Sequence, residues 1–357
     1  MTIVCGIDAH DKELVCRIWR SDRIEETKRA RNTDTGRKRL WEYLARLRKD
    51  LGGEKVVAGY EACGLGYTIY DEAIEAGFIC YVLATGKMAK SPMDRKRKTD
   101  EYDAQKISEL LRSHELAGLT LPTVWVPSMV VRDDRELIRR RFDVKADSTR
   151  IKNQIHGLLK RQGIKRPEEF VNPWTKPYVA WLKSLELPPG TRAHLASLIQ
   201  QHLSLAENVR ALDKAVETLS MMERYERQVQ ALTTIMGVGV LTSMVYLTEL
   251  GDLNRFPNRR TVKAYIGLAP TSHESGEIKN RKGHITRAGP SRLRAILNQA
   301  VWARLTHDDA ERKWFEGYVA THSGGKRKAV VICMARLAQL MWHRALDAQH
   351  EYERRVA

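Results

Sequence analysis

Three short apolar runs limit what the first third of this chain can become. Ile3-Val4-Cys5-Gly6-Ile7, Lys55-Val56-Val57-Ala58-Gly59-Tyr60 and Phe78-Ile79-Cys80-Tyr81-Val82-Leu83 read as buried strands. After the first run, Glu13 to Trp19 alternates as a partner strand, and His10-Asp11-Lys12 fits the hairpin that joins them. Residues 35–49 carry Leu40, Tyr43, Leu44 and Leu47 at helical spacing. The turn Cys63-Gly64-Leu65-Gly66 leads into a second helix with Ile69, Ala73 and Ile74. Strands alternating with helices predict an α/β domain whose sheet is at least partly parallel.

Acids stand where such a sheet does its chemistry. The first run ends on Asp8 and the second on Glu61. A very basic stretch, including Lys96, Arg97 and Lys98, then leads into Thr99-Asp100-Glu101-Tyr102-Asp103, and Ile107, Leu110 and Leu111 continue with helical spacing. Sites in open α/β sheets lie at the carboxyl ends of strands. Residues three apart share a helix face, so Asp8, Glu61, Asp100 and Asp103 can converge. Four carboxylates suit two-metal phosphoryl transfer, and all-oxygen ligands suit Mg2+ or Mn2+. The basic stretch suits an approaching phosphate backbone. The structural alternative is that acids in a first helical turn complement the helix dipole. The order of strands, hairpin, basic stretch and Asp-x-x-Asp is that of a ribonuclease-H-like nuclease core.

Composition points the same way. With 61 Lys and Arg against 44 Asp and Glu, the net charge is +17 and the pI about 9.7. A polyanionic partner follows, with nucleic acid first. No apolar run is long enough to span a bilayer, and the opening Met1 to Ile7 is strand-like, unlike a signal peptide. The five cysteines form no C-x-x-C pair. They read as reduced packing residues of a cytoplasmic protein, without a structural zinc site.

The middle of the chain is helical. Val144, Ile151, Ile155 and Leu158 recur at near-heptad spacing, with Arg132, Arg135, Arg139, Arg140 and Arg141 crowding the other positions. That face is either solvated and internally paired or turned to nucleic acid. Prolines at 167, 173, 177, 188 and 189 mark a connector. Leu195, Leu198, His202, Leu205, Val209, Leu212, Val216 and Leu219 then alternate at three and four, a coiled-coil seam whose partner lies in this chain or in another copy.

The last third is basic. Gly237 and Gly239 sit in an apolar pattern that resembles a helix-hairpin-helix, where backbone N–H groups meet a phosphate. Arg259 and Arg260 precede Gly267-Leu268-Ala269-Pro270, and Lys279, Arg281, Lys282 and Arg287 follow the polar stretch Thr271-Ser272-His273-Glu274-Ser275-Gly276-Glu277. So cationic a segment reads as a phosphate contact. Ser272, Ser275 and Ser291 are equivalent hydroxyls by pattern alone, and a serine before glycine is ordinarily a turn residue. Ser323-Gly324-Gly325-Lys326-Arg327-Lys328 opens a final helix. It lacks the full Walker pattern, and reads as a phosphate contact or a capped packing helix. The expected organisation is an α/β domain over 1–127, a helical coiled-coil region over 128–225 and a mainly helical domain over 226–357.

The set Asp8, Glu61, Asp100 and Asp103, in the local settings Gly6-Ile7-Asp8, Tyr60-Glu61-Ala62 and Lys98-Thr99-Asp100, resembles the D-E-D-D signature of IS110-type insertion-sequence transposases. That family includes the Piv-like DNA invertases. Gly267-Leu268-Ala269-Pro270, Ser275-Gly276, Gly283-His284-Ile285 and Ala288-Gly289 resemble its second-domain signature. The resemblance runs through most of the chain and implies a RuvC-like first domain with a divalent metal. It implies that Ser275 is the nucleophile that joins DNA covalently, with Ser272 as the alternative, since Glu274 stands where many relatives have serine. It also implies donor and target DNA, a bridge-type non-coding RNA as guide, a homo-oligomer (dimer or tetramer), and a prokaryotic cytoplasmic protein, nucleoid-associated when bound. The competing expectations are a Piv-like site-specific invertase, a metal-only structure-specific nuclease, and a non-catalytic nucleic-acid-binding scaffold.

Overall fold

The computed structural model describes residues 2–20, 25–52, 55–84, 99–272, 282–322 and 324–356. Lys96, Arg97, Lys98, Ser275, Lys279 and Arg281 lie outside the described residues. The chain divides into two compact units, Met1–Val126 and Pro127–Ala357.

In chain order the first unit runs β1 (Thr2–Ala9), β2 (Glu13–Trp19), β3 (Glu25–Arg31), α1 (Asp34–Asp50), β4 (Lys55–Glu61), α2 (Thr68–Glu75), β5 (Ile79–Leu83) and α3 (Asp100–Ala117). The strands form one sheet of order β3-β2-β1-β4-β5. β1, β4 and β5 are parallel, while β2 and β3 run antiparallel to their neighbours. The hairpin between β1 and β2 closes with the His10 N–H donating to the Glu13 carbonyl at 3.0 Å.

Strand alternation sorts the side chains by face. Ile3, Cys5 and Ile7 of β1 pack with Val56, Ala58 and Tyr60 of β4 against Leu40 and Leu44 of α1 and Ile69 of α2. Val4 and Val57 face the other way, against Ile107 and Leu111 of α3. Gly6 lies on this second face, and α3 is pressed directly onto it. A Cβ at Gly6 would overlap the Ser108 backbone nitrogen and the Ala104 carbonyl oxygen, and would lie 2.9 Å from the Ser108 Cα. Thr99 caps α3 by accepting from the Tyr102 N–H, and left-handed Gly118 ends it.

β3 has no apolar alternation and carries no strand signal in sequence. It is an edge strand, Glu25 to Arg31, with exposure alternating along it. Cross-strand ion pairs accompany the ladder: Arg17 to Glu25 and Arg29 to Glu13, both at 2.7 Å. Such a charged edge resists pairing with other strands.

The second unit comprises α4 (Met129–Arg161), α5 (Lys176–Ser184), α6 (Pro189–Ser220), α7 (Glu223–Thr233), α8 (Val240–Leu250), α9 (Arg259–Tyr265), β6 (Pro270–Ser272), β7 (Lys282–Ile285), α10 (Ser291–His307), α11 (Asp309–Thr321) and α12 (Gly325–Val356). The heptad seam of α6 packs on α4 of the same chain. The start of α4 and the end of α6 (Ile138, Val216, Leu219) share a core with Leu232, Met244, Leu297 and Met341. The end of α4 and the start of α6 form a second cluster with α5, built on Ile155, Leu158, Tyr178, Leu182 and Leu195. Position 225 is therefore no break in packing: Leu219 and Tyr225 lie on either side of a short turn and in one core. Cys5, Cys16, Cys80 and Cys333 are buried free thiols, whereas Cys63 is exposed.

The α4 arginines divide. Arg135 is buried and donates to the carbonyls of Thr248 (2.6 Å) and Glu249 (2.9 Å), satisfying the C-terminal end of α8. Its neighbour Asp134, also buried, accepts from Arg224 and from the Tyr225 hydroxyl. Arg141 pairs with Asp213 of α6 at 2.8 Å, and Arg139 and Arg150 pair within the helix.

The contact at Gly6 gives a direct test. Gly6→Ala inserts a methyl between two backbones and is expected to destabilise the protein by about 2 kcal/mol or more, read by thermal or denaturant unfolding. Gly64→Ala, where an added Cβ meets nothing within 4 Å, is the control and leaves stability near wild type.

Candidate active site

The sheet and α3 bring Asp8 and Asp100 together, with His10 between them. Asp8 and Glu61 close adjacent parallel strands, one step beyond the Ile7–Tyr60 pair. By alternation both fall on the face that α3 covers. Asp100 and Asp103 lie in the first turn of α3, whose position is fixed by the backbone contact at Gly6. The third acid of that turn, Glu101, is drawn off by Arg29 of β3 at 2.9 Å.

One residue joins this group that the sequence reasoning passed over as hairpin. His10 Nε2 lies 3.0 Å from Asp8 Oδ2 and 3.5 Å from Asp100 Oδ1. Asp8, His10 and Asp100 each offer a ligand atom, all within 4.8 Å of one another. The available signal was its spacing: two residues beyond Asp8, it leaves the strand on the same side. Burial pushes the Asp8 carboxyl above its ordinary range, and the charges of Asp103 and Asp100 push it further, against the opposing pull of His10. A half-buried carboxylate next to two further acids is short of positive charge. That donor set fits a divalent cation, which Asp8, Asp100 and His10 would hold; Asp103 is near enough to act on Asp8, and Glu61 is set next to Asp8 by strand register alone.

In the second unit the signature residues around the serine segment form the foot of a hairpin. β6 and β7 pair antiparallel, Pro270 with Ile285 and Ser272 with Lys282. Below them the Thr286 N–H donates to the Ala269 carbonyl (2.9 Å) and the Arg287 N–H to the Gly267 carbonyl (3.1 Å). Arg294 clamps the same place, donating to the carbonyls of Ile266 and Gly289. Arg287 is exposed and left-handed, with φ 53°. Arg259 and Arg260 are exposed at the start of α9, whose end group Asn258 accepts from the N–H groups of Arg260 and Thr261.

The two glycines between α7 and α8 part company. Gly237, with φ 83°, is tucked against α10, where a Cβ would lie 2.5 Å from the Ala300 carbonyl oxygen. Packing explains its identity. Gly239 is exposed at the N-cap of α8 with open space around it. Among the described residues no helix is long and apolar enough to cross a membrane.

Comparison with known proteins gives these placements a context. Residues 5–163, which hold all four acids, match a DEDD transposase family of IS110 type, and residues 229–316, which hold the hairpin, match the family described as Transposase IS116/IS110/IS902. The chain belongs to the IS110 family of transposases. Within it, the chain is 24% identical over 347 residues to the transposase for insertion sequence element IS1533 of Leptospira borgpetersenii, covering 96% of this chain and 95% of that protein. It is 30% identical over 253 residues to the putative transposase y4qE of Sinorhizobium fredii, covering 70% of this chain and 58% of the relative. It is also 22% identical over 153 residues to the pilin gene-inverting protein of Moraxella bovis, covering 42% and 47% of the two chains.

Asp8 offers a test of the electrostatics. Its folded-state pKa is raised, so ionisation is harder in the folded chain than in the unfolded one. Above that pKa the charge costs stability, and the cost fades as pH falls and both states become protonated. With metal chelated, Asp8→Asn is expected to melt no lower than wild type at neutral pH, with any advantage shrinking below the carboxylate range. Differential scanning calorimetry across pH measures both.

Proposed function

We propose that this IS110-family protein is a DNA recombinase that cuts and rejoins strands through a serine–DNA intermediate, assisted by divalent metal at Asp8, Glu61, Asp100 and Asp103. The observation that carries the proposal is the acidic end of the first unit, where Asp8, His10 and Asp100 offer ligand atoms within 4.8 Å of one another. Mg2+ (or Mn2+) bound there supplies countercharge to a phosphoryl group.

The protein's own groups do the rest. His10 orients Asp8 by hydrogen bonding, and Arg29 keeps Glu101 turned away from the cluster. Ser275 attacks the DNA phosphorus: the serine oxygen–phosphorus bond forms, the phosphorus–sugar oxygen bond breaks, and the proton passes to the departing sugar hydroxyl. Attack by another strand's hydroxyl reverses these changes and rejoins DNA. Serine is a weak nucleophile when unassisted, so charge stabilisation by surrounding cations matters. Arg259, Arg260 and Arg287 hold the phosphates, extended by Lys96, Arg97, Lys98, Lys279, Arg281 and Lys282. The open turn at Gly239 offers the first backbone N–H groups of α8 to a phosphate, as in a helix-hairpin-helix. A bridge-type RNA guides the choice of donor and target, and a homo-oligomer holds the two DNAs. The similarity to the pilin gene-inverting protein favours a second reading, in which the same chemistry serves inversion at a fixed locus.

The test is a phenol-resistant protein–DNA adduct formed with Mg2+ on DNA spanning the ends of the element. Wild type is expected to give it. Ser275→Ala and Asp103→Asn are expected to reduce it more than a hundredfold while melting within about 2 °C of wild type. An adduct of full yield from Ser275→Ala moves the nucleophile elsewhere, with Ser272→Ala the next variant. Adduct formation that survives complete RNA digestion supports the fixed-locus reading.

A further inference from the structure

α11 carries a column of rings that the chemistry above does not use. Trp314 and Tyr318, four apart, share one face of α11, and His322, the residue that ends the helix, continues the column. Trp314 and Tyr318 stack with centroids 5.5 Å apart at 27°, and Tyr318 and His322 are nearly parallel at 4.0 Å and 4°. The two ends of the column differ. Arg336 of α12 lies over Trp314, 4.5 Å from its ring centre. His322, at the other end, is exposed.

The exposed end is held by hydrogen bonds, and a basic helix start follows it in the chain. His322 Nδ1 lies 3.1 Å from the Tyr318 carbonyl and 2.8 Å from Thr321 Oγ1, and that hydroxyl in turn donates to the Gly317 carbonyl. The Tyr318 carbonyl can only accept, so Nδ1 carries the proton it shares there, and in the neutral ring Nε2 is then the acceptor. α12 starts against this same turn: at Gly325 a Cβ would meet the Val319 Cα at 2.8 Å. Lys326, Arg327 and Lys328 follow in the first turn of α12, all exposed, with the Lys326 ammonium 5.5 Å from the Trp302 ring of α10.

An exposed ring at the end of a stack, a ring-nitrogen acceptor and three exposed cations at the next helix start match a base, its exocyclic amino group and its phosphates. Inside a duplex each base face is covered by the next base pair, so away from duplex ends the stack is extended by an unpaired base. We infer that the α11–α12 corner binds unpaired nucleotides of single-stranded DNA, with a base stacked on His322 and the backbone held by Lys326, Arg327 and Lys328. The choice of DNA rests on the recombinase reading, in which cutting and rejoining expose unpaired ends.

The experiment uses nuclease-treated full-length protein and fluorescence anisotropy with labelled oligothymidylate, mixed-sequence single-stranded DNA, matched duplex and single-stranded RNA. Wild type is expected to bind single strands, mixed sequence more tightly than oligothymidylate, which lacks an exocyclic amine. His322→Ala weakens single-strand binding roughly tenfold, leaves duplex binding unchanged, and melts as wild type. His322→Phe restores the stack and recovers binding to oligothymidylate. Lys326→Ala weakens binding and flattens its salt dependence. Unchanged single-strand binding by His322→Ala overturns the inference, as does equal loss of duplex binding. Preference for RNA over DNA of the same sequence overturns the assignment to DNA. Asp103→Asn separates the two proposals: it loses the adduct but keeps single-strand binding if both hold. Binding without any wild-type adduct removes the recombinase reading alone.

Discussion

The acidic end of the first unit depends on how closely α3 can approach β1. At Gly6 the two backbones meet with no side chain between them, Ser108 and Ala104 against the strand. A helix held at ordinary side-chain distance from the sheet would carry Asp100 away from His10 and Asp8. The parallel register does the other half by ending β1 and β4 at one level, so that Asp8 and Glu61 arrive together. Two backbone relations, a helix-to-strand contact and a strand-to-strand register, thus set the spacing of side chains distant in sequence. Neither involves the acids themselves. The fold therefore tolerates their mutual repulsion because apolar contacts on both faces of the sheet stabilise it independently.

The same separation between scaffold and chemistry recurs in the second unit. The foot of the β6–β7 hairpin is fixed by backbone bonds and by Arg294, which is turned to carbonyls. Arg135 and Arg255 are likewise inward, the latter between the rings of Phe256 and Tyr265. A large positive net charge thus overstates the cationic surface, since part of it neutralises helix C-termini in the interior. Among the arginines left outside, Arg259 and Arg260 lie at a helix start and Arg287 at a hairpin foot.

Sequence carried much of this architecture and missed particular parts of it. The apolar strands, their acid ends and the long helices were legible because burial on both faces, or along a helical stripe, leaves periodic patterns. β3 was not, because an edge strand held by ion pairs needs no apolar residue. His10 was not, because a hairpin histidine looks like any polar turn residue until the register brings Asp8 and Asp100 to it. The α6 seam was legible as a seam, yet its partner was not: α4 and a second copy would demand the same heptads. Gly237 was legible as special, but spacing cannot tell a glycine that admits a phosphate from one that admits Ala300. Arg135 counted as surface charge until α8 was seen to end against it.

The paired helices α4 and α6 are each more than 30 residues long, about 48 Å of helix. Their near ends belong to the main core of the second unit, while their far ends carry a small core of their own with α5. Aromatic packing around Trp174, Tyr178 and His202 closes that far end. The arrangement is an outrigger: a stiff strut whose tip is stabilised locally. Such a tip can change its sequence, lengthen or acquire new contacts over evolution without disturbing the packing at its root. A chain built on this plan can change the length of its strut without repacking the root.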